Sequence, residues 1–409
     1  MNYILLAIPL FMVLIIIELL WDKYKGTGFY RLNDTVNSLT MGIYSRLTGL
    51  IYAFIPFSAY AFIFEHYSLL KLPIEDSWVW IVAFVLYDFG YYFIHRLGHT
   101  LNITWASHVI HHQSEDYNLG TALRQTSIPS VLGWICLIPM ALLGFPPIVL
   151  LAAGSFNLIY QFWVHTQHIK KLPTWYEAIF VTPSHHRVHH GKNKIYIDKN
   201  HGGVFIIWDK IFGTFQAELE DENVIYGIST QLASWNPIWG NAQFIGHLIK
   251  DAWLTNSWFD RFTLWFRATG YRPQDREIND PRTKTNGVVN KYDITNSTGT
   301  KAYILSQFFL CLVLVFAFLT MAKDLMPWQI VLGVSTLGLF LFSLSKVQEE
   351  KGSAVIWECI KFIALTTSAT LIMPNIDWVL PALSSTGLIS ICSLYYLQRQ
   401  KEASEPVKA

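Results

Sequence analysis

The chain has 409 residues, of which 52% are hydrophobic and 14% are charged, and its formal net charge is +1. This balance excludes the basic surface that nucleic-acid binding requires, so no nucleic-acid partner is expected. The apolar residues are concentrated in long runs, which predicts an all-α protein that crosses a membrane several times.

These apolar runs predict about nine membrane spans, since a helix needs about 20 largely apolar residues to cross a bilayer. The first run lacks a basic start and a small-residue cleavage site, which favours a membrane anchor over a signal peptide. Pro146 and Pro147 separate the fourth run from the fifth, which leaves open two crossings or one re-entrant hairpin. The runs cover residues 3–20, 47–64, 78–94, 128–145, 147–164, 303–322, 328–345, 354–373 and 377–397.

Three short clusters contain nine of the fourteen histidines: HRLGH at 95–99, HVIHH at 108–112 and HHRVHH at 185–190. Spacings of three and four residues place side chains on one face of a helix, which predicts that the imidazoles of each cluster converge. Their number exceeds the four ligands of a structural zinc site and favours more than one transition metal, although imidazole suits several metals. The candidate ligands are His95, His99, His108, His111, His112, His186, His189 and His190.

Polar residues at helical spacing lead toward these clusters on two of the apolar runs. Asp88 shares a helix face with His95, and we expect its carboxylate to accept a hydrogen bond from a metal-bound imidazole. On the fifth run, Asn157 and Gln161 lie on the same face as His165. His165 is therefore predicted to be a further metal ligand, with Asn157 and Gln161 supporting it.

The remaining isolated polar residues carry weaker signals. We expect His66 and His247 to be structural and His168 to be an interfacial residue. The NHGG run around His201 lacks the features of a haem site, so His201 is at most an outer group near the third cluster. Glu358 lies inside an apolar run, where a functional role and an interhelical hydrogen bond are both open.

Basic residues are concentrated in the loops that carry the histidine clusters and after the last apolar run. The positive-inside rule therefore predicts that the clusters and the carboxy terminus face the cytoplasm of an integral membrane protein. The chain is expected to divide into four parts. Membrane helices with the first two clusters occupy 1–168, a cytoplasmic catalytic region with the third occupies 169–271, a polar linker occupies 272–300, and a four-helix membrane block occupies 301–409.

The order HxxxH, HxxHH, HxxHH in a multi-span chain resembles the fatty acid hydroxylase superfamily, which includes the sterol desaturases. Within it, residues 31–39, 111–126 and 182–215 resemble the alkylglycerol monooxygenases, and the resemblance covers about residues 30–220. It implies a di-iron membrane hydroxylase fold with a cytoplasmic helical cap. It also implies two Fe ions held by the clustered histidines, with His185 as the extra histidine beside the third motif, and O2 as co-substrate.

The same resemblance leaves the electron donor and the lipid open. Those enzymes use tetrahydrobiopterin and have a glutamate after the first motif, whereas this chain has Thr100 there. The expected function is hydroxylation of a lipid C–H bond, with ether cleavage of alkylglycerols as one candidate. The alternative is a sterol, carotenoid or fatty acyl hydroxylase or desaturase with another donor. A non-catalytic metal-binding protein or transporter is a remote third, because a transporter would place its ligands near the membrane midplane.

Overall fold

The computed structural model describes residues 3–130, 132–277, 290–373 and 377–404, and the middle of the predicted linker lies outside them. The described residues form helices and no β-strand beyond two isolated bridges, which confirms the all-α class. In chain order the helices are α1 (Tyr3–Lys25), α2 (Leu32–Tyr52), α3 (Phe54–Tyr67), α4 (Ser77–Thr100), α5 (Asn102–Trp105), α6 (Val109–His112), α7 (Leu119–Ala122), α8 (Ile138–Leu142), α9 (Pro147–Trp163), α10 (Thr174–Glu177), α11 (Pro183–His189), α12 (Ile207–Ile211), α13 (Pro237–Leu254), α14 (Trp258–Thr263), α15 (Gln274–Glu277), α16 (Thr298–Met321), α17 (Pro327–Gln348), α18 (Ala354–Ile372) and α19 (Val379–Ser404).

Several of these helices are suited to a bilayer, and the chain is an integral membrane protein. Within the described ranges, α4, α16, α17, α18 and α19 are long and apolar enough to cross a membrane. Helices α2 and α3 form a sixth candidate, bent by 50° at their junction. The predicted first span falls in α1, which is 23 residues long and begins at the edge of the described residues. The described residues therefore offer fewer candidate spans than the nine or so expected.

The fourth and fifth apolar runs account for much of this difference. The fourth run forms only a short apolar helix at 133–142, and the fifth forms the 17-residue α9. Pro146 and Pro147 separate them, and the chain turns at Gly144, whose φ is +92°. Neither helix has the length of a full crossing, which favours the re-entrant hairpin over two spans.

One hydrophobic core joins the amino-terminal and carboxy-terminal membrane helices. Phe11 of α1 stacks on Phe162 of α9 at a centroid distance of 4.1 Å, and both lie in the same buried cluster as Ile304 of α16 and Leu344 of α17. The carboxy-terminal helices therefore pack against the part of the chain that carries the histidines. The division into four parts stays a prediction.

A buried ion pair fixes the carboxy-terminal helices against one another. Glu358 and Lys361 of α18 are both fully buried and form a salt bridge. Glu358 also accepts hydrogen bonds from Tyr303 of α16 and, at 2.9 Å, from Ser343 of α17, while Lys361 donates to Gln307 of α16 at 2.9 Å. Of the two roles open for Glu358, the interhelical hydrogen bond is the one observed.

Candidate metal centre

The three histidine clusters meet in two adjacent groups of imidazoles. Within each group, one potential ligand atom from every residue lies within 4.8 Å of all the others. The rings of His112 in the first group and His190 in the second stack at a centroid distance of 4.3 Å, so the groups are neighbours. Group A contains His95, His99, His108, His112 and His189, and group B contains His111, His165, His186 and His190.

Two short elements distribute ligands between the groups. In α6, the consecutive His111 and His112 point to different groups because successive residues on a helix are about 100° apart. In the same way the consecutive His189 and His190, at the end of α11, belong to groups A and B, and His186 of α11 also belongs to group B. The second and third clusters therefore each serve both groups, whereas the sequence predicted convergence within each cluster.

The first cluster behaves as predicted. His95 and His99 lie one turn apart near the end of α4, and both belong to group A. The helix ends at Thr100 because Leu101 is extended, with φ −122° and ψ 143°. The two candidate ligands therefore lie at the end of a candidate membrane span.

The spacing of the imidazole nitrogens fits bound cations. The Nε2 atoms of His95 and His108 are 2.9 Å apart, and those of His165 and His111 are 3.2 Å apart. Two nitrogens bound to one ion at about 2.1 Å and at right angles to each other are about 3.0 Å apart. His165 and His111 each also bond a backbone carbonyl through Nδ1, so their facing Nε2 atoms are bare lone pairs when the rings are neutral. A cation between them removes that repulsion.

Three further potential ligand atoms are buried without a hydrogen-bond partner among the described residues. The Nε2 atoms of His99, His189 and His190 are buried, and none has a hydrogen-bond partner in the part of the chain that the structure describes. A buried nitrogen without a partner is costly unless an ion or water binds it. The donor set therefore fits two metal ions, one in each group.

Burial keeps these imidazoles in the neutral form that binds metal. It lowers the pKa of His111 to about 4. The pKa values of His186 and His190 are also lowered well below the usual range, first by burial and then by the neighbouring imidazoles. Neutral imidazole is the form that offers a lone pair, so these ligands need no deprotonation near pH 7.

Backbone carbonyls orient four of the nine rings. The Nδ1 atom of His95 bonds the His201 carbonyl at 2.8 Å, and that of His189 bonds the Lys199 carbonyl at 3.0 Å. His111 and His165 use the carbonyls of Arg124 and Gln161 at 2.9 and 2.8 Å. A hydrogen bond at Nδ1 fixes the tautomer and directs Nε2 to the metal. The sequence carries no side-chain signal for partners of this kind.

Asp88 does not contact an imidazole in the way the sequence predicted. Its buried carboxylate accepts hydrogen bonds from Asn157 Nδ2 at 2.6 Å, Val204 N at 2.8 Å, Phe205 N at 3.0 Å and Trp208 Nε1 at 2.9 Å. The carboxylate instead holds the loop that follows the third cluster against α4. Asp88 therefore acts on the site through that loop.

The loop at residues 198–209, whose last residues form the start of α12, is held from two sides. Asp209 accepts hydrogen bonds at 2.7 Å from the backbone nitrogens of His201 and Gly202. Gly203 passes so close to α4 that an added Cβ would lie 2.8 Å from an Asp88 oxygen, which explains the glycine there. The two carboxylates fix the loop whose carbonyls orient His95 and His189.

Asn157 and Gln161 belong to the same polar network. Besides the Asn157–Asp88 contact, the Gln161 amide donates to Asn157 Oδ1 at 2.5 Å and its oxygen accepts from Tyr91 at 2.8 Å. Gln161 also contacts His165 through its backbone carbonyl. The polar line on α9 therefore supports His165, which lies in group B as predicted.

His185, which was among the expected ligands, lies outside both groups. On α11 it is at the edge of the face that carries His186, His189 and His190, and its ring packs edge-on against Phe215 at 5.6 Å. His201 borders group A, with its ring centroid 5.1 Å from that of His99, but is not a member.

The other isolated histidines are also outside the two groups. His168 lies 3.8 Å from an Asp22 oxygen, His66 bonds the Phe62 carbonyl at 2.9 Å, and the His247 ring lies near Trp239.

A polar pocket of about 420 Å³ opens beside group B. Lys170, Arg187, Glu218 and Tyr226 are among the residues that line it. The Tyr226 ring stacks on the buried Tyr117 ring at 4.9 Å, and Tyr117 in turn lies 5.6 Å from the His165 ring and 5.2 Å from the His190 ring. Two aromatic rings therefore bridge the pocket and the group B ligands.

Comparison with known proteins agrees with this geometry. The family described as fatty acid hydroxylase matches residues 80–214, which include all nine grouped histidines. The alkylglycerol monooxygenase of Homo sapiens is 37% identical over 97% of this chain and 88% of that protein. The alkylglycerol monooxygenase of Danio rerio is 36% identical over 100% of this chain and 91% of that protein.

A more distant similarity joins the chain to another lipid-modifying enzyme. An ornithine lipid hydroxylase of Rhizobium tropici is 27% identical over 55% of this chain and 69% of that protein. No solved structure matches the chain. The near full-length relatives confirm the predicted resemblance: the chain belongs to the alkylglycerol monooxygenase family of fatty acid hydroxylases and is an O2-dependent membrane lipid monooxygenase.

Proposed function

We propose that groups A and B each hold one iron ion and that the chain hydroxylates the carbon next to the ether oxygen of an alkylglycerol. The observation that carries the proposal is the meeting of nine histidines, eight of them less than a tenth exposed, in two neighbouring groups. Nitrogen ligands alone suit several metals, and family membership supports iron. His95, His99, His108, His112 and His189 would hold one ion, and His111, His165, His186 and His190 the other.

An iron pair bound there would supply O2 activation and the oxidising power that an unactivated C–H bond requires, which side chains alone do not supply. The protein's part is to hold neutral imidazoles in place and to keep the loop at 198–209 rigid. Hydroxylation of the carbon beside an ether oxygen yields a hemiacetal, which separates into an aldehyde and a free glycerol hydroxyl. One oxygen atom enters the lipid, and two electrons and two protons reduce the other to water.

The substrate class rests on the relatives. Both vertebrate proteins named above are alkylglycerol monooxygenases and match almost the whole of this chain. The ornithine lipid hydroxylase supports a second candidate, hydroxylation of an acylated membrane lipid. The same histidine pattern is also compatible with a sterol, carotenoid or fatty acyl substrate.

The two electrons require an external donor, and the polar pocket beside group B is the proposed docking place. Its lining carries both charges, including Lys170, Arg187 and Glu218, which suits a water-soluble donor such as tetrahydrobiopterin or the surface of a redox protein. The stacked rings of Tyr226 and Tyr117 provide a short path from the pocket to His165. Thr100 stands where the relatives' motif has a glutamate, which leaves both donors as candidates.

The proposed orientation places both groups and the carboxy terminus at the cytoplasmic face, with residues 169–271 as a helical cap over the site. The basic loops after α1 and around the third cluster support it. The four predicted parts of the chain follow the same layout. Cytoplasmic access would bring the donor to the pocket while the lipid arrives from the bilayer.

The experiment measures O2 consumption and aldehyde formation by membranes that contain the protein. An alkylglycerol with tetrahydrobiopterin should give both, and the matching monoacylglycerol, which has an ester in place of the ether, should give no aldehyde. Turnover of the alkylglycerol with a redox protein but not with the pterin would change the proposed electron donor and leave the proposed substrate unchanged. Release of a hydroxylated acyl lipid with no ether cleavage would establish the second candidate instead.

A further inference from the structure

An outward-facing aromatic surface lies beside the metal centre, on the segment at residues 235–269, which is not among the candidate spans of the described residues. Each of its members is more than half exposed, and we call the set the aromatic face. The aromatic face consists of Ile249 and Trp253 of α13, Trp258, Phe259 and Phe262 of α14, and Phe266.

The segment also has a buried apolar core on its inner side, so the residues of the aromatic face are not needed to form that core. Leu248 and Ala252 of α13 are buried against Leu264 in a small core of their own. Ile249 and Trp253 each follow one of these buried residues, so their side chains lie on a different, exposed face of α13. Exposed apolar patches of several large side chains mark binding surfaces for membranes or partners.

The position of the segment identifies the bilayer as the partner. Its far end is hydrogen-bonded to the end of α4: Asn102 N donates to the Arg267 carbonyl at 3.0 Å, and Thr269 N donates to the Thr100 carbonyl at 3.1 Å. Its near end is tied to the end of α17, where Trp235 N donates to Glu349 at 2.7 Å. The segment therefore runs along one membrane face, between the ends of two candidate spans.

The charges on the segment suit lipid headgroups. The Arg261 guanidinium lies 4.4 Å from the Trp258 ring centroid, and that of Arg267 lies 5.3 Å from Phe259. The Nε atoms of both arginines are buried, but both side chains are partly exposed, so part of each guanidinium surface lies open beside the aromatic face, where lipid phosphate would be. Aromatic rings beside arginine are typical of the interface between headgroups and acyl chains.

We propose that the aromatic face is inserted into the headgroup region of the bilayer and that lipid substrate enters beside it, at the His99 end of the site. Thr269, three residues after Phe266, donates a hydrogen bond to the His99 carbonyl, so the inserted surface adjoins group A directly. The membrane-insertion part stands on the geometry alone. The entry part rests on the proposed function.

Spin labels test insertion without any activity measurement. In a variant with the four native cysteines replaced, Trp258→Cys and Phe262→Cys would carry nitroxides in vesicles of phosphatidylcholine and phosphatidylserine. A label at Phe316, which is exposed on the side of α16, gives the reference relaxation for a position inside the bilayer. A label at Glu220, whose side chain is 88% exposed, gives the reference relaxation for a position in water. We expect the two test labels to be relaxed by O2 more than by a water-soluble nickel chelate, at a depth of about 5–10 Å. Relaxation like that at Glu220 would overturn the proposal.

Substrate entry is tested by the double variant Trp258→Ser, Phe262→Ser. Its KM for a long-chain ether lipid in vesicles should rise several-fold, while kcat and KM for a short-chain ether dissolved as monomers should stay at the parent values. Equal losses on both substrates would show a structural defect and refute the entry role. If the parent protein turns over neither ether, the proposed function fails, and the spin-label result still decides insertion.

Discussion

Replacement of Asp88 by alanine tests whether the loop at 198–209 controls the metal centre. Asp88 is fully buried and accepts hydrogen bonds from Val204 N, Phe205 N and Trp208 Nε1 as well as from Asn157. Without the carboxylate, the loop loses three of its hydrogen bonds to α4. His95 then loses the fixed position of the His201 carbonyl that orients its ring.

The expected loss in the free energy of unfolding follows from the number of buried donors that Asp88→Ala leaves without an acceptor. Each buried donor without a partner costs about 1–3 kcal/mol, and Asp88→Ala leaves three donors besides the Asn157 amide, which can rotate. Water that enters the space offsets part of this cost, so we expect a loss of about 3 kcal/mol in the free energy of unfolding. Removal of a group that supports a metal ligand lowers metal affinity about 10- to 100-fold.

The assay combines metal content after dialysis against a weak chelator with thermal unfolding in detergent micelles. Asp76→Ala is the matched control, because Asp76 precedes the same helix and also accepts an indole N–H, from Trp78 at 3.1 Å, but at an exposed position. Asp88→Ala should lose metal and unfold at a lower temperature, whereas Asp76→Ala should do neither. Parent-like metal content and stability in Asp88→Ala would refute the role given to the loop.

Three further predictions concern individual residues. His165→Ala should remove about half of the bound metal and abolish lipid turnover, whereas His185→Ala should keep the full metal content; metal loss in the second variant would contradict the group assignment. Glu358→Ala should destabilise the protein by about 3–5 kcal/mol, because it leaves Lys361 charged and buried, while the double variant Glu358→Met, Lys361→Met should stay near the parent in thermal unfolding. Tyr226→Ala should raise the KM for the electron donor and leave the KM for the lipid unchanged, with Tyr226→Phe as the control that keeps the ring; an equal rise for both would exclude a donor role for the pocket.

The grouping of the histidines could be predicted because imidazole side chains recur in the sequence at recognisable spacing. The eight clustered histidines and His165 were all expected as ligands, and all nine lie in the two groups. His185 was included because the resemblance placed it beside the third motif. Only the orientation of α11 shows that it faces Phe215 instead.

The hydrogen bonds that orient the ligands could not be predicted. Backbone carbonyls such as those of Lys199 and His201 exist at every residue, so their use depends on where the loop runs. The partners of Asp88 lie more than 60 residues away along the chain, beyond the reach of helical periodicity. The described residues offer fewer candidate spans than expected for a related reason, since apolar content does not report where prolines and turns shorten a helix.

X-ray absorption at the iron edge of the purified protein, together with the iron content per chain, tests whether the nine histidines hold a pair of irons. We predict two irons per chain, nitrogen ligands at about 2.1 Å and an iron neighbour at roughly 3.5–4 Å. A single metal per chain, sulfur ligation, or zinc in place of iron in a protein that still oxidises lipid would contradict an iron pair held by these histidines.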